Sequence, residues 1–130
     1  MSLDIIYGHF LSHPSQMPTL ADPARSVAVL KTEGKGPGVN LAVHLVNDSW
    51  LNAFDAAFVL SNDSDLAMAM NIVRGQGRRV GLIVPGDATP AAVQLAKVAR
   101  PILRLRSGLM ALAQLPDPIP GTTISKPKTG

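Results

Sequence analysis

The chain has 130 residues, 46% apolar and 16% charged, and a mass of 13.7 kDa, which suits one compact domain with its own core and excludes a multidomain machine or a disordered chain. It has no Cys, so a disulfide scaffold, a thiolate zinc site and a Cys nucleophile are excluded, and any chemistry falls to carboxylates, His, Ser or Lys. Twelve Lys and Arg against nine acids leave a net charge of +3, which by itself is a weak argument for nucleic acid. No apolar run approaches the ~18 residues a membrane helix needs, and Met1-Ser2-Leu3-Asp4 lacks a signal peptide's basic stretch and apolar core, so the expectation is a soluble cytoplasmic protein with no membrane partner.

In chain order, short β-rich runs are expected at residues 5–7, 27–30, 56–60 and 80–84, with a weaker one at 102–105. The first two have no helical period between them, only Pro14, Pro18 and Pro23 among polar residues, and read as loop-connected strands that form an antiparallel extension. Residues 39–51 read as a helix with Val39, Ala42, Val43, Val46 and Trp50 on its apolar face and Asn40, His44, Asn47 and Asp48 opposite. A second helix starts near Ser64 and stops at Gly75 and Gly77, and a third follows Thr89-Pro90, a cap-then-proline start. This alternation predicts an α/β fold, with a mostly parallel sheet flanked by helices on both faces. One domain over residues 1–115 and a Pro-rich, extended or frayed tail over 116–130 complete the expected organisation.

The chemistry concentrates at two strand ends. The apolar run 56–60 ends in Ser61-Asn62-Asp63-Ser64-Asp65 as a helix begins, where open α/β sheets place their ligands. Two carboxylates two residues apart can converge on a hard cation such as Mg²⁺ or Mn²⁺; alternatively Asp63 or Ser64 caps the helix and Asp65 lies in its favourable first turn. The second stretch is Lys31-Thr32-Glu33-Gly34-Lys35-Gly36-Pro37-Gly38-Val39-Asn40. Here Lys35 could neutralise a phosphate and Asn40 could orient a ligand, or the segment is a connector with a solvated helix face on which Asn40, His44 and Asp48 step down. Gly75-Gln76-Gly77 reads as a helix stop, no Walker A sequence is present, and the serines lack a Gly-x-Ser-x-Gly context. His9, His13 and His44 lack metal spacing. The basic clusters Arg74/Arg78/Arg79, Arg100/Arg104/Arg106 and Lys126/Lys128 could border a phosphate groove, although caps and solvated turns account for each.

Four blocks in order, residues 7–13 (Tyr-Gly-His-Phe-Leu-Ser-His), Lys31-Thr32-Glu33-x-Lys35-Gly36, Val39-Asn40-Leu41-Ala42 and Ser61-Asn62-Asp63-Ser64-Asp65-Leu66, resemble the NYN domains of the LabA-like branch of the PIN-like nuclease superfamily. The resemblance implies a Rossmann-like PIN fold whose acids bind Mg²⁺ or Mn²⁺ and activate water for RNA phosphodiester hydrolysis. It makes Asp63 and Asp65 the catalytic and metal-binding carboxylates, with Ser61, Asn62, Ser64, Lys35 and Asn40 on the substrate side; Asp48 and Glu33 are candidates for further metal ligands outside the matched motif. Three departures stand beside it. Gly38 occupies the place of an acidic ligand, and Gly34 follows Glu33 where an acid is common. The chain also opens almost at the Tyr-Gly-His-Phe block, so the family's first strand with its Asp is expected to be missing, and Asp4 aligns with a later strand.

The expected function is therefore a divalent-metal-dependent ribonuclease-type domain, weak or inactive in this chain, with RNA as its partner. The alternative is a non-catalytic RNA-binding or protein-interaction module that keeps the fold. A homodimer is expected through an unpaired edge at residues 56–60.

Overall fold

A computed structural model describes residues 3–127. It is a mixed α/β structure built from two separate sheets. A two-stranded antiparallel sheet joins β1 (His9–Pro18) to β2 (Ser26–Lys35), and a three-stranded parallel sheet has the order β3 (Ala56–Leu60), β4 (Arg79–Pro85), β5 (Ile102–Leu105). The helices are α1 (Pro37–Trp50), α2 (Ala67–Gly75, entered through a 3₁₀ turn at Ser64–Leu66), α3 (Val93–Val98) and α4 (Ser107–Leu112).

The antiparallel pair is longer than its sequence suggests. Ten residues of β1 pair with ten of β2, from His9 opposite Lys35 to Pro18 opposite Ser26. Pro14 and Pro18 lie inside β1, which a two-stranded ribbon tolerates because each strand has an unpaired edge. The strand expected at residues 5–7 does not form. The partner chain runs out there: after Lys35, Gly36 turns away at φ 98° into α1, leaving residues 3–8 nothing to pair with.

The core lies between the parallel sheet and the helices. Val59, Val80, Leu82 and Val84 from the strands meet Leu66, Met70 and Val73 of the α2 segment and Leu95 of α3, all essentially buried. The strand register puts Ala57 beside Val80, and Val59 beside Leu82 and Ile102, on this helix-covered face. The expectation of cover on both faces is corrected. Both β-α-β crossovers step the same way across the sheet, and crossovers of one hand stack their helices on one side. The other face is open: Phe58 is 55% exposed, Leu60 52% and Leu103 46%, and the Phe58 ring lies over Gly81, where a Cβ would come within 2.5 Å of it.

Helix α1 packs on α2 rather than on the sheet, and its expected apolar face is also corrected. Leu45 and Ser49 are the buried positions, Ala42 and Val46 are half-buried, and Val39, Val43 and Trp50 are exposed. Helix α3 starts at Val93 rather than at Thr89-Pro90, because those two residues give their carbonyls to Arg104 and Asn62 respectively. Helix α4 has no sequence signal of its own; Asp87, in the turn after β4, accepts from the Ser107 backbone N–H at 3.1 Å and from the Ser107 hydroxyl. That pair of hydrogen bonds, the hydroxyl's first, holds the Asp87 carboxyl below its usual range.

The segment after Leu115 is not extended. Ile119 N–H donates to Ile124 O at 2.9 Å and Lys126 N–H to Asp117 Oδ1 at 3.0 Å, folding the Pro-rich stretch back on itself. Lys128 and the rest of 128–130 lie outside the described residues. Among the described residues no helix is long and apolar enough to cross a membrane.

Candidate functional site

The carboxyl end of β3 runs straight into Ser61, and hydrogen bonds shape the turn that follows. The Ser61 hydroxyl accepts from Asp63 N–H at 3.1 Å, and Asp63 Oδ1 accepts from Asp65 N–H at 3.0 Å. Asp63 is thus the cap of the 3₁₀ turn with one carboxylate oxygen, and Asp65 lies in its first turn. The capping alternative is realised, and the second carboxylate oxygen of Asp63 remains available.

That oxygen faces the start of α1. A cavity of about 460 Å³ is bounded by Asp63, Asp65 and Leu66 on one side and by the Gly34–Val39 segment with Ala42 and Val43 on the other. The two carboxylates expected to share a cleft do line one, and Lys35 lines it with them. The glycine-rich segment reaches them although β2 belongs to a different sheet, since the turn at Gly36 redirects the chain across the end of β3. Gly36 and Gly38 are walls of the cavity, Gly38 at the position where the resemblance expects an acid.

Other expected residues are engaged elsewhere. The Asn62 amide donates to Pro90 O at 3.1 Å and its oxygen accepts from Ala92 N–H at 2.8 Å, so it clamps the β4–α3 connection to the site turn and starts α3. Asn40 donates to Tyr7 O at 3.4 Å, tying the segment before β1 to the first turn of α1. Glu33 is gripped by Lys31 at 2.6 Å and Lys35 at 2.8 Å. Their hydrogen bonds, Lys31 first, bring its pKa down to about 2 from an ordinary 4.5. Asp48 is ten residues along α1 from Gly38, roughly 15 Å by helical rise, and does not join the pair. Ser64 is exposed at the turn.

Asp63 and Asp65 could offer a hard cation two carboxylates at most, with water filling its remaining positions. Among the described residues there is no group of three or more His, Cys, Asp or Glu that could hold a metal. Three residues of the basic clusters are engaged within the fold: Arg78 pairs with Asp55 at 3.0 Å, Arg100 bonds the carbonyls of Ala96 and Ala99, and Arg104 that of Thr89.

No family model matches the chain, and no solved structure matches it. It is 36% identical over 101 residues to a protein of Pseudomonas putida (strain DSM 28022 / S16) named 6-hydroxy-3-succinoylpyridine 3-monooxygenase HspA, a stretch that covers 75% of this chain and 32% of that protein. The chain thus spans about a third of the length of the curated relative it matches.

Proposed function

We propose that the chain is a PIN-like domain of the NYN, LabA-like kind, whose Asp63–Asp65 turn works on the phosphodiester backbone of RNA with a weakly held Mg²⁺ or Mn²⁺. The observation that carries this reading is the shared cavity: both carboxylates of the Ser-Asn-Asp-Ser-Asp block, the Lys35 side and the start of α1 meet at the carboxyl end of a parallel sheet, where α/β folds bind ligands. Asp63 and Asp65 would hold the cation, which when bound lowers the pKa of a coordinated water and offsets phosphate charge. Lys35 lines the cavity with its ammonium paired to Glu33, and would have to share that ammonium with a phosphate oxygen. Asn62 keeps the turn in register with α3 and leaves substrate contact to its neighbours.

Two carboxylates make a poor cage for a hard cation, so activity in this chain is expected to be low. Calorimetry with Mn²⁺ and cleavage of a labelled RNA, each repeated on Asp63→Asn, test the reading. Weak Mn²⁺ binding and slow cleavage that both vanish in the variant support it. RNA bound without cleavage at any Mn²⁺ concentration points to a non-catalytic RNA-binding module instead.

A second reading draws on the comparison, since the relative's name gives it a substituted hydroxypyridine as substrate. On that reading the chain is a portion of a protein that takes a heteroaromatic compound. Calorimetric binding of 6-hydroxy-3-succinoylpyridine, with none of RNA, would favour it over the first.

A further inference from the structure

The outer edge of β3 is a row of unused backbone groups. Arg79 N–H donates to Asp55 O and Ser61 N–H to Ile83 O, so the odd-numbered residues of β3 turn their peptide groups to β4, and Ala56, Phe58 and Leu60 direct theirs the other way. Among the described residues no strand pairs on that side. The side chains of Phe58 and Leu60 stand beside the free edge, each about half exposed.

The same chain holds a segment that lacks a partner. Residues 3–7 read Leu-Asp-Ile-Ile-Tyr, a composition that favours a strand, yet they join none, and Leu3 is 79% exposed, Ile5 64%, Ile6 48% and Tyr7 83%. The point where the segment leaves the fold is pinned. Gly8 lies so close to the start of α1 that a Cβ there would come within 2.5 Å of Pro37 Cδ and 2.6 Å of Lys35 O, and the Asn40 amide donates to Tyr7 O at 3.4 Å. These restraints keep the segment at the start of α1, off its own β3.

We infer that residues 3–7 of one copy add as a strand along the outer edge of β3 in a second copy, and that the exchange is reciprocal. The lengths agree, since β3 also has five residues. Main-chain hydrogen bonds supply the affinity in strand addition, and alternate side chains fit the face beside it. With Ile5 opposite Phe58, Leu3, Ile5 and Tyr7 extend the apolar face of Phe58 and Leu60. Two such additions, closed by a two-fold axis, bury about 1,000 Å² in all, judged from side-chain areas, the size at which a specific interface begins. The β1–β2 ribbon is a poorer donor. β1 has no N–H at Pro14 and Pro18, and β2 carries Lys31, Glu33 and Lys35, charges that blunt an edge.

The inference is independent of the RNA reading, and its test needs neither metal nor nucleic acid. The chain has no Cys, so single introduced cysteines report which strands meet. Chain carrying Ile5→Cys is mixed with chain carrying Phe58→Cys and treated with a short bismaleimide. These are the middle residues of the two strands and face each other whichever way the strands run, with Cβ atoms about 5 Å apart. The expected result is a two-chain product joining the two variants, in yield about tenfold above that with Val93→Cys in place of Phe58→Cys, because pairing raises the local thiol concentration. Val93 is 69% exposed on α3, away from the edge. Without any cysteine, Ile5→Pro is expected to turn a particle of two chains into one in light scattering, since it removes a ladder N–H from a segment with no structure of its own to lose.

A yield equal to the Val93→Cys control overturns the inference. So does Phe58→Cys chain that joins to itself as readily as to Ile5→Cys chain, since β3 would then pair with β3. A chain carrying both cysteines that cross-links only within itself at every concentration also overturns it, because the segment would then lie on its own edge. The scattering measurement stands even if Phe58→Cys fails to fold: a two-chain particle that survives Ile5→Pro associates by another surface and refutes the exchange.

Discussion

Gly38 stands directly against Asp63: a Cβ added at Gly38 would lie 3.5 Å from Asp63 Oδ2, an ordinary van der Waals separation, and the glycine's φ is outside the left-handed range. A side chain is therefore tolerated there, and an acidic one would point its carboxylate at the existing pair. Gly38→Asp is expected to add a third ligand and to tighten Mn²⁺ binding about tenfold or more, since affinity for hard cations follows the count of carboxylates. Calorimetry on the variant measures this. Unchanged Mn²⁺ affinity in a variant with native circular dichroism would show that Asp63 and Gly38 do not border a cation site.

Asn62 is expected to matter for stability more than for substrate. Its amide satisfies Pro90 O and Ala92 N–H at once, and Asn62→Ala leaves both without these partners at the start of α3. The expected loss is about 1–2 kcal/mol, read as a lower midpoint in urea. Asn62→Asp keeps the acceptor for Ala92 and should recover part of it. Equal midpoints for all three proteins would mean that the clamp is idle.

The Lys31–Glu33–Lys35 triplet gives the hairpin a defined acid response. Glu33 has its pKa lowered to about 2 from 4.5, so its charged form is favoured in the folded state. The resulting stabilisation is complete above the unfolded value of 4.5 and is lost as pH falls from there through about 2. Amide exchange in β2 should accelerate across that window, and Glu33→Gln should flatten the response. A wild-type profile identical to that of the variant would contradict the pairing, as would insensitivity to salt, because these exposed charges are screened.

The open sheet face and the outer edge of β3 are expected to bring two copies together. Phe58, Leu60 and Leu103 are about half exposed, and β3 lies at the end of the strand order with β4 as its one neighbour among the described residues. Parallel sheets are normally covered on both faces, and an unpaired edge templates further pairing. Light scattering at micromolar concentration should report a particle of two chains, which Leu60→Lys returns to one. A constant 13.7 kDa for the wild-type chain at all concentrations would reject this association.

The parallel strands, the helix over α1 and the stop at Gly75–Gly77 were legible in the sequence because each rests on local chemistry: continuous β-branched and apolar runs, a 3.6-residue period, and a glycine at positive φ (Gly77, φ 82°). The Asp63–Asp65 turn was legible for the same reason, since a cap and the residue two positions on are fixed by neighbouring backbone. What local pattern could not carry was decided by which surfaces met. The one-sided sheet follows from two crossovers stepping the same way, the exposed Val43–Trp50 stripe from α1 packing on α2, and the delayed start of α3 from Asn62 reaching across 30 residues to Ala92. Asn62, Asn40 and Glu33 read as ligands in the sequence because their chemistry allows it. The tertiary structure instead gave the hydrogen-bonding capacity of Asn62 and Asn40 to the protein's own backbone and paired Glu33 with Lys31 and Lys35, leaving Asp63 and Asp65 at the cavity beside a Lys35 already engaged, because a polar group satisfied within the fold gains little by turning to a ligand.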